Sequence, residues 1–400
     1  MNSLTWDQVH ARRLARHHLV KPVSGDLRKP VRDVCGVQAQ VAAAAELAIG
    51  SRVRDATREQ VRAELYDDKR LVKTYSLRGT LHVHAADELA LWLAAMRWKP
   101  YWRAKGSWHA HHELTTKQGE SFVDAVRQAL DGECLTREEL AGEVSGRVGA
   151  WAKDRLASNW GELLRPVAYL GVLCFGPVRG AKVTYVRPDR WAGLKVELGD
   201  QPDPEESAME IIRRYLRAYG PATHQDLARW FALRPPEARE ALESLGDEIV
   251  QVEVEGRKAY VLAADESRWP SQASCLRLLP QYEAYVLGSG PKEVVVPKDT
   301  AGRVFEHGRG RYEGAVAHQI MLVDGVVSGM WERREKGGKV EIKVESFVEL
   351  DSGRSEELER EAERVGRFYG ARVGADEAPR ARDGTSAGRR RGQRVVQGTG

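Results

Sequence analysis

The sequence predicts an α+β chain: three successive helix-and-hairpin units, then a β-rich segment, then a polar tail. Three observations carry this expectation. Segments of helical periodicity end, three times over, in two short alternating runs joined by a tight turn at Arg78-Gly79, Arg179-Gly180 and Glu255-Gly256. From about residue 272 the periodicity becomes alternating, broken by Asp-Gly and Gly-Gly turns. After Gly370 the chain is rich in Gly and Arg and poor in large apolar residues.

The first unit, 1–105, opens with TWDQ, where Thr5 can cap a helix while Gln8 returns to the backbone. TREQ at 57–60 starts another helix in the same way, and LVKTYSLRGTLHVHA reads as strand, turn, strand. In the second unit, 106–202, TREE at 136–139 is again a capping box. SNWGELLRPVAYLG supplies an amphipathic helix there, and LCFGPVRGAKVTYVRP a second hairpin. The third unit, 203–268, holds a helix stopped by Gly220-Pro221, a helix capped by Thr223, the helix PPEAREALESL and the hairpin QVEVEGRKAYVLA. Helices followed by a two-stranded wing are the plan of winged-helix (helix-turn-helix) domains, here predicted in tandem. Over 269–370, the segments EVVVP, HQIMLVD, VVSGMWE and KVEIKVESFVEL predict a small β-barrel, closed by a charged helix over about 355–369. Residues 371–400 are expected to be a disordered basic tail.

Composition excludes several classes. At 42% hydrophobic and 30% charged, the 400 residues are those of a globular chain. No apolar run approaches the roughly 18 residues of a membrane helix, and the polar start (Asp7, His10, Arg12, Arg13) is unlike a signal peptide. Cys35, Cys134, Cys174 and Cys275 lack any CxxC spacing, so reduced thiols and a cytoplasmic, nucleoid-associated setting are expected. The net charge is only +4. The distribution says more: Arg12, Arg13, Arg16, His17 and His18 lie near the start and Arg389, Arg390, Arg391 and Arg394 near the end. This predicts one positively charged face.

GVQAQ at 36–40, TYSLRGTLHVH at 74–84, RRYLRAYGPATHQDLARW at 213–230 and LLPQYEAYVLG at 278–288 together resemble the winged-helix DNA glycosylases of the AlkZ and YcaQ type, over about residues 5 to 350. The resemblance implies tandem winged helices and a C-terminal barrel around a positively charged channel. It also implies hydrolysis of the N-glycosidic bond of alkylated purines, with interstrand crosslinks and self-resistance to a genotoxic natural product as further roles in the family. Its signature of a glutamine, an apolar residue and then Gln or Asp maps onto Gln38, Ala39 and Gln40. The family's usual Phe-Asp after LLP is here replaced by Tyr282-Glu283.

Two neutral amides suffice only for an easy reaction. In extended backbone, residues two apart face the same way with Cα atoms about 6.6 Å apart, so Gln38 and Gln40 can converge on one water molecule. Glutamine cannot serve as a general base. Its carbonyl can orient a water proton, and its dipole can face charge developing on the sugar. That help is enough when the base is already cationic, as in N7- or N3-alkylpurines, because bond cleavage then releases a neutral base. A carboxylate at the second position would be the stronger catalyst. No lysine stands out as a Schiff-base nucleophile, so monofunctional hydrolysis is expected, with no cofactor and no metal.

Arg78, Thr80 and His82 on the RGTLHVH wing are candidate DNA contacts, with His82 and His84 alternatively on a core-facing strand side. HGRGRYEG at 307–314, with Arg309 and Arg311, and VDGVV at 323–327 are alternative hairpins for the minor groove. Trp98, Trp102 and Trp108 suit core packing better than base stacking, and His109, His111 and His112 lack the neighbours of a metal site. The expected partner is duplex DNA carrying alkylated purines, bound by a monomer. A winged-helix regulator without catalysis, or a protein that sequesters a drug, are the competing readings.

Overall fold

The computed structural model describes residues 3–99, 111–158, 162–267, 269–304, 318–336, 339–370 and 393–399. Helices begin where threonine can accept from the third residue of the first turn. Thr5, Thr57, Thr136 and Thr223 each do so, with the reciprocal side chain returning to the cap. Each such cap contributes about 1 kcal/mol. Thr115 and Gln118 form a further capping box, at the start of Thr116–Ala129.

Fourteen strands are described: β1 (Ser3–Leu4), β2 (Val37–Gln38), β3 (Leu71–Tyr75), β4 (Leu81–Ala85), β5 (Leu135–Thr136), β6 (Cys174–Phe175), β7 (Thr184–Val186), β8 (Ile249–Val254), β9 (Arg257–Leu262), β10 (Leu276–Leu279), β11 (Ile320–Val323), β12 (Val326–Lys336), β13 (Lys339–Ser346) and β14 (Gln393–Thr399). They make three sheets, ordered β1-β8-β9, β2-β4-β3-β6-β7-β5 and β10-β11-β12-β13-β14. The three hairpins expected from turn dipeptides are present as β3-β4, β6-β7 and β8-β9.

Pairing crosses the unit boundaries read from the sequence. Lys73 of β3 pairs with Phe175 of β6, so one sheet runs from the first unit into the second. β1 adds in parallel to β8 of the third unit. One apolar cluster joins Val72 and Trp92, Phe122 and Tyr185, and Ile211 and Phe231 across all three units. Another ties Leu47, Val61 and Val83 to Leu278, Trp331 and Phe368.

Four expectations need correction. The barrel does not close among the described residues: the five-stranded sheet ends at β10 and β14. The free edge of β10 is covered instead by the helix Ser352–Phe368. Its Glu357 and Glu361 accept from the backbone N–H groups of Leu276 and Leu278 at 3.0 and 3.1 Å. These carboxylates satisfy donors that a closing strand would otherwise take. EVVVP is not a strand, because Lys292–Val295 form a short helix that follows Pro291 and stops before Pro297. The tail is not wholly irregular: Gln393–Thr399 pair antiparallel with β13, continuing a ladder that the β-branched pair Val395-Val396 suits.

The basic first helix, Trp6–Arg16, does not present a charged face. Arg13 is 0% exposed and donates to the carbonyls of Tyr219, Pro221 and Gly290, each at 2.9 Å. Arg12 pairs with Asp265 at 2.7 Å, and His17 lies edge-on to Tyr219 and Tyr285. The helix thus anchors the third unit and the C-terminal segment. Arg52 and Glu283, both 0% exposed, form a second internal link as a buried ion pair. No described helix is long and apolar enough to cross a membrane.

Candidate active site

Gly36 and Val37 enter β2 from the helix Arg28–Asp33, and the next helix starts only at Ala42. The glutamines therefore sit on non-helical backbone, as convergence requires. Val37 and Gln38 pair with Val83 and His82 of β4, and the Ala39 N–H donates to the Leu81 carbonyl at 2.7 Å. β2 is the edge strand of its sheet.

The neighbours of Gln38 and Gln40 fix the orientation of both amides. Arg78 Nη2 donates to Gln38 Oε1 at 2.7 Å. The Leu81 backbone N–H donates to Gln40 Oε1 at 2.7 Å. Each partner can only donate, so the atom facing it must be the amide oxygen. Each oxygen keeps a second lone pair. Gln38 is 8% exposed, while Gln40 is open to solvent. One amide is thus sheltered and one is reachable.

The turn carrying Arg78 is strained on purpose of position. Arg78 has φ +55°, in the left-handed region that non-glycine residues seldom occupy. Gly79 follows with φ +69°, and a Cβ there would lie 2.6 Å from Cζ of Arg165. The absence of a side chain lets the Arg165 guanidinium rest on the turn. Arg78 also donates to the Trp230 carbonyl at 3.1 Å, but no carboxylate among the described residues pairs with it. Burial lowers its pKa to about 10, against a smaller upward push from Tyr219. At neutral pH it remains a cation.

Thr80 is half-buried and donates from Oγ1 to the Leu77 carbonyl at 3.0 Å. His82 lies inside rather than at the surface, at 2% exposure. Its ring stacks on His84 with centroids 5.9 Å apart, and His84 stacks on Trp92 at 4.2 Å. Burial first, then Arg78, drives the His82 pKa well below its ordinary value, so the ring is neutral. Both faces of β4 are buried, Val83 at 1% exposure on the face opposite His82 and His84, and a neutral ring at 82 supports the turn without meeting solvent.

Arg309 and Arg311 lie outside the described residues, as do Trp102, Trp108 and His109. Trp98 is 8% exposed and stacks on Phe231 at 6.2 Å, in keeping with core packing. The alternative groove-entering hairpin, at Asp324-Gly325, is anchored inward. Gly325 has φ +95°, its carbonyl accepts from the Tyr285 hydroxyl at 3.2 Å, and a Cβ there would lie 2.6 Å from that hydroxyl. Gly325 at this tip is packed on protein. Among the described residues no group of three His, Cys, Asp or Glu side chains is placed to hold a metal ion. All four cysteines are free thiols.

Sequence reading missed two cations beside the turn. Lys99, at the end of the helix Leu89–Trp98, is half-buried with Nζ 4.9 Å from the centre of the Phe231 ring. Arg165, on Leu164–Tyr169, is half-buried against Gly79. Burial, then Arg78 and Arg165, lowers the Lys99 pKa to about 7. Their positions in the sequence, 21 and 87 residues beyond Arg78, carry no local pattern that links them to it.

This geometry sits within a chain whose relatives are known. The family model described as DNA glycosylase AlkZ-like matches residues 31–368. An interstrand DNA cross-link repair glycosylase from Streptomyces sahachiroi is 36% identical over 373 residues, covering 92% of this chain and 97% of that protein. The solved structure of the Streptomyces sahachiroi DNA glycosylase AlkZ superposes with a TM-score of 0.77 at 33% identity, covering 92% of this chain and 98% of the other. Matched along most of its length in sequence and in fold, the chain belongs to the AlkZ-like family of DNA glycosylases.

Proposed function

We propose that Gln38 and Gln40 are the catalytic pair of this glycosylase and that its substrates are cationic alkylpurines of the N7-alkylguanine type in duplex DNA. The supporting observation is the shared clamp: both amide oxygens are held by the Arg78–Leu81 segment, on the edge strand of the sheet. A water molecule can donate a proton to the remaining lone pair of either oxygen. The amide dipoles then face the sugar as the glycosidic bond lengthens. With a cationic base as leaving group, this modest assistance is sufficient, and an abasic site is left without a lyase step. We read the three helix-and-hairpin units as tandem winged helices, with divisions near residues 105, 202 and 268, that present β2 to the duplex. The protein acts as a monomer on chromosomal DNA. Arg78 and Thr80 lie nearest the bound strand, His82 supports them from within, and Arg309 and Arg311 contact the strand from the segment before β11.

The relative described as an interstrand DNA cross-link repair glycosylase extends this reading to crosslinked purines. A solvent-open Gln40 at an edge strand favours a site that does not enclose the base, which suits bulky or tethered adducts. Self-resistance to a genotoxic product is the biological role such a substrate range serves.

The test is single-turnover release of N7-alkylguanine from a defined duplex by the wild type and by the Gln38→Ala/Gln40→Ala variant. Release by the wild type alone supports the assignment. Equal release by both proteins would remove the glutamines from the chemistry. A duplex with an N7-linked interstrand crosslink, resolved on a denaturing gel, extends the same comparison to unhooking.

A further inference from the structure

Arg78, which holds Gln38, has two further cations near its turn. Arg78 comes from the β3-β4 turn, Lys99 from the end of Leu89–Trp98, and Arg165 from Leu164–Tyr169. Phe231 and Trp230 of the helix His224–Phe231 form the opposite side. The Phe231 ring faces Lys99 Nζ at 4.9 Å, and the Trp230 carbonyl accepts from Arg78. Arg165 Nε is buried without a hydrogen-bond partner among the described residues. The charged groups that act on Lys99 are Arg78 and Arg165, both repulsive, while His82 of β4 is neutral. No carboxylate among the described residues forms an ion pair with any of the three.

Unpaired cations at close quarters in a partly dry site are costly. Two of these are guanidiniums, which do not lose their protons near neutrality. Only two routes relieve the repulsion: Lys99 gives up its proton, or an anion enters. In the free protein the first route operates, with burial and the two arginines setting the Lys99 amine to titrate at about pH 7.

We infer that Arg78, Lys99 and Arg165 form a binding site for one backbone phosphodiester of the DNA beside Gln38, occupied with uptake of a proton by Lys99. The inference rests on the placement of the reacting sugar at Gln38. Arg78 keeps its bonds to Gln38 and Trp230 and offers its remaining N–H groups, and with the Arg165 guanidinium and the Lys99 ammonium these are donors suited to the oxygens of a phosphodiester. The bound phosphate also resolves a difficulty in the chemistry. Arg78 unscreened would repel the positive charge growing on the sugar, and an anion beside it cancels that field. A phosphate next to the lesion therefore binds the strand and permits Gln38 to face a cation.

The linkage has a definite sign. A lysine that is half neutral near pH 7 when free, and cationic when bound, makes DNA binding weaken as pH rises above 7. If the phosphate returns Lys99 toward the ordinary lysine value, affinity falls about tenfold between pH 7.0 and 8.5. Histidines are largely neutral across this window.

The experiment is the Kd of the full chain for an undamaged duplex at pH 7.0, 7.75 and 8.5 and constant ionic strength, by fluorescence anisotropy. The wild type is expected to lose about tenfold in affinity across this range. Lys99→Arg, which cannot release its proton, is expected to bind with a nearly flat profile. Arg165→Gln is expected to bind more weakly at every pH. A flat wild-type profile, or the full slope retained in Lys99→Arg, overturns the inference. Release of N7-alkylguanine is measured on the same preparations. Release with a flat binding profile rejects the phosphate site and spares the glutamine assignment, whereas the expected slope without release does the reverse.

Discussion

Replacing Arg52 with Met tests how the C-terminal segment is held to the first unit. Arg52 follows the helix Ala42–Gly50, and Glu283 caps the helix Ala284–Gly288, accepting from the Tyr285 N–H at 3.1 Å. Both side chains are 0% exposed. Arg52 Nη1 donates to the Ala48 carbonyl at 2.7 Å, and its two terminal nitrogens face the two oxygens of Glu283. Removing the guanidinium leaves a buried carboxylate whose remaining donor is one backbone N–H. Breaking such a pair costs about 3–5 kcal/mol. With an unfolding entropy near 2.1 cal/mol/K per residue over about 370 folded residues, this corresponds to a Tm lower by about 4–6 °C. The assay is thermal unfolding followed by tryptophan fluorescence, with Arg52→Met/Glu283→Leu alongside. The double variant removes both charges and is expected to recover most of the loss, because apolar groups of similar volume often replace a buried pair at little cost. A single variant with unchanged Tm, or a double variant no more stable than Arg52→Met, would refute the reasoning.

Two further outcomes follow from the same principles. Arg78→Met deprives Gln38 Oε1 of the donor that fixes its amide. A hydrogen bond to a charged group is worth about 1.5–3 kcal/mol, so single-turnover excision at saturating protein should fall about ten- to a hundredfold. An unchanged rate would show that the amide needs no such support. Asp226 is 2% exposed. Burial by itself would raise its carboxyl pKa, but the backbone and hydroxyl of Thr223, then Arg257 and Arg229, outweigh that and hold it below the ordinary value. The stability it contributes is complete above the ordinary carboxylate range and is lost as pH falls through the lowered value. Asp226→Asn should be less stable at pH 7 and should lose less between pH 5 and pH 2, as read by urea midpoints at each pH. Parallel acid profiles for both proteins would rule this out.

The local features were legible in the sequence because their causes are local. Thr5, Thr57, Thr136 and Thr223 meet their partners three residues away, and the hairpins at Arg78-Gly79 and Glu255-Gly256 turn at glycines that tolerate positive φ. Gln38 and Gln40 were found through resemblance, since isolated glutamines carry no signal of their own. What escaped notice depends on distant partners. The arginines of the first helix look like a surface patch until Arg13 is seen among carbonyls some 200 residues away. EVVVP has strand composition, but Pro291 and Pro297 leave it too short to join a sheet. Tyr282-Glu283 reads as a departure from the family's pattern, and the carboxylate is explained by Arg52, far away in the sequence, together with the helix it caps. Lys99 and Arg165 are ordinary basic residues until the turn at Gly79 brings them to Arg78.

The backbone pairing of Lys73 with Phe175 has a mechanical consequence. Backbone hydrogen bonding makes the strand bearing Gln38 and the hairpin of the second unit parts of one stiff plate. The two units cannot swing apart at that seam without breaking sheet hydrogen bonds and opening the apolar layer beneath. If the lesion is read at β2, as proposed, the adjustment that brings it there falls on the nucleic acid. Lesions that already weaken base stacking deform most cheaply, so on that placement the rigidity of the seam would favour damaged DNA before any bond is cut.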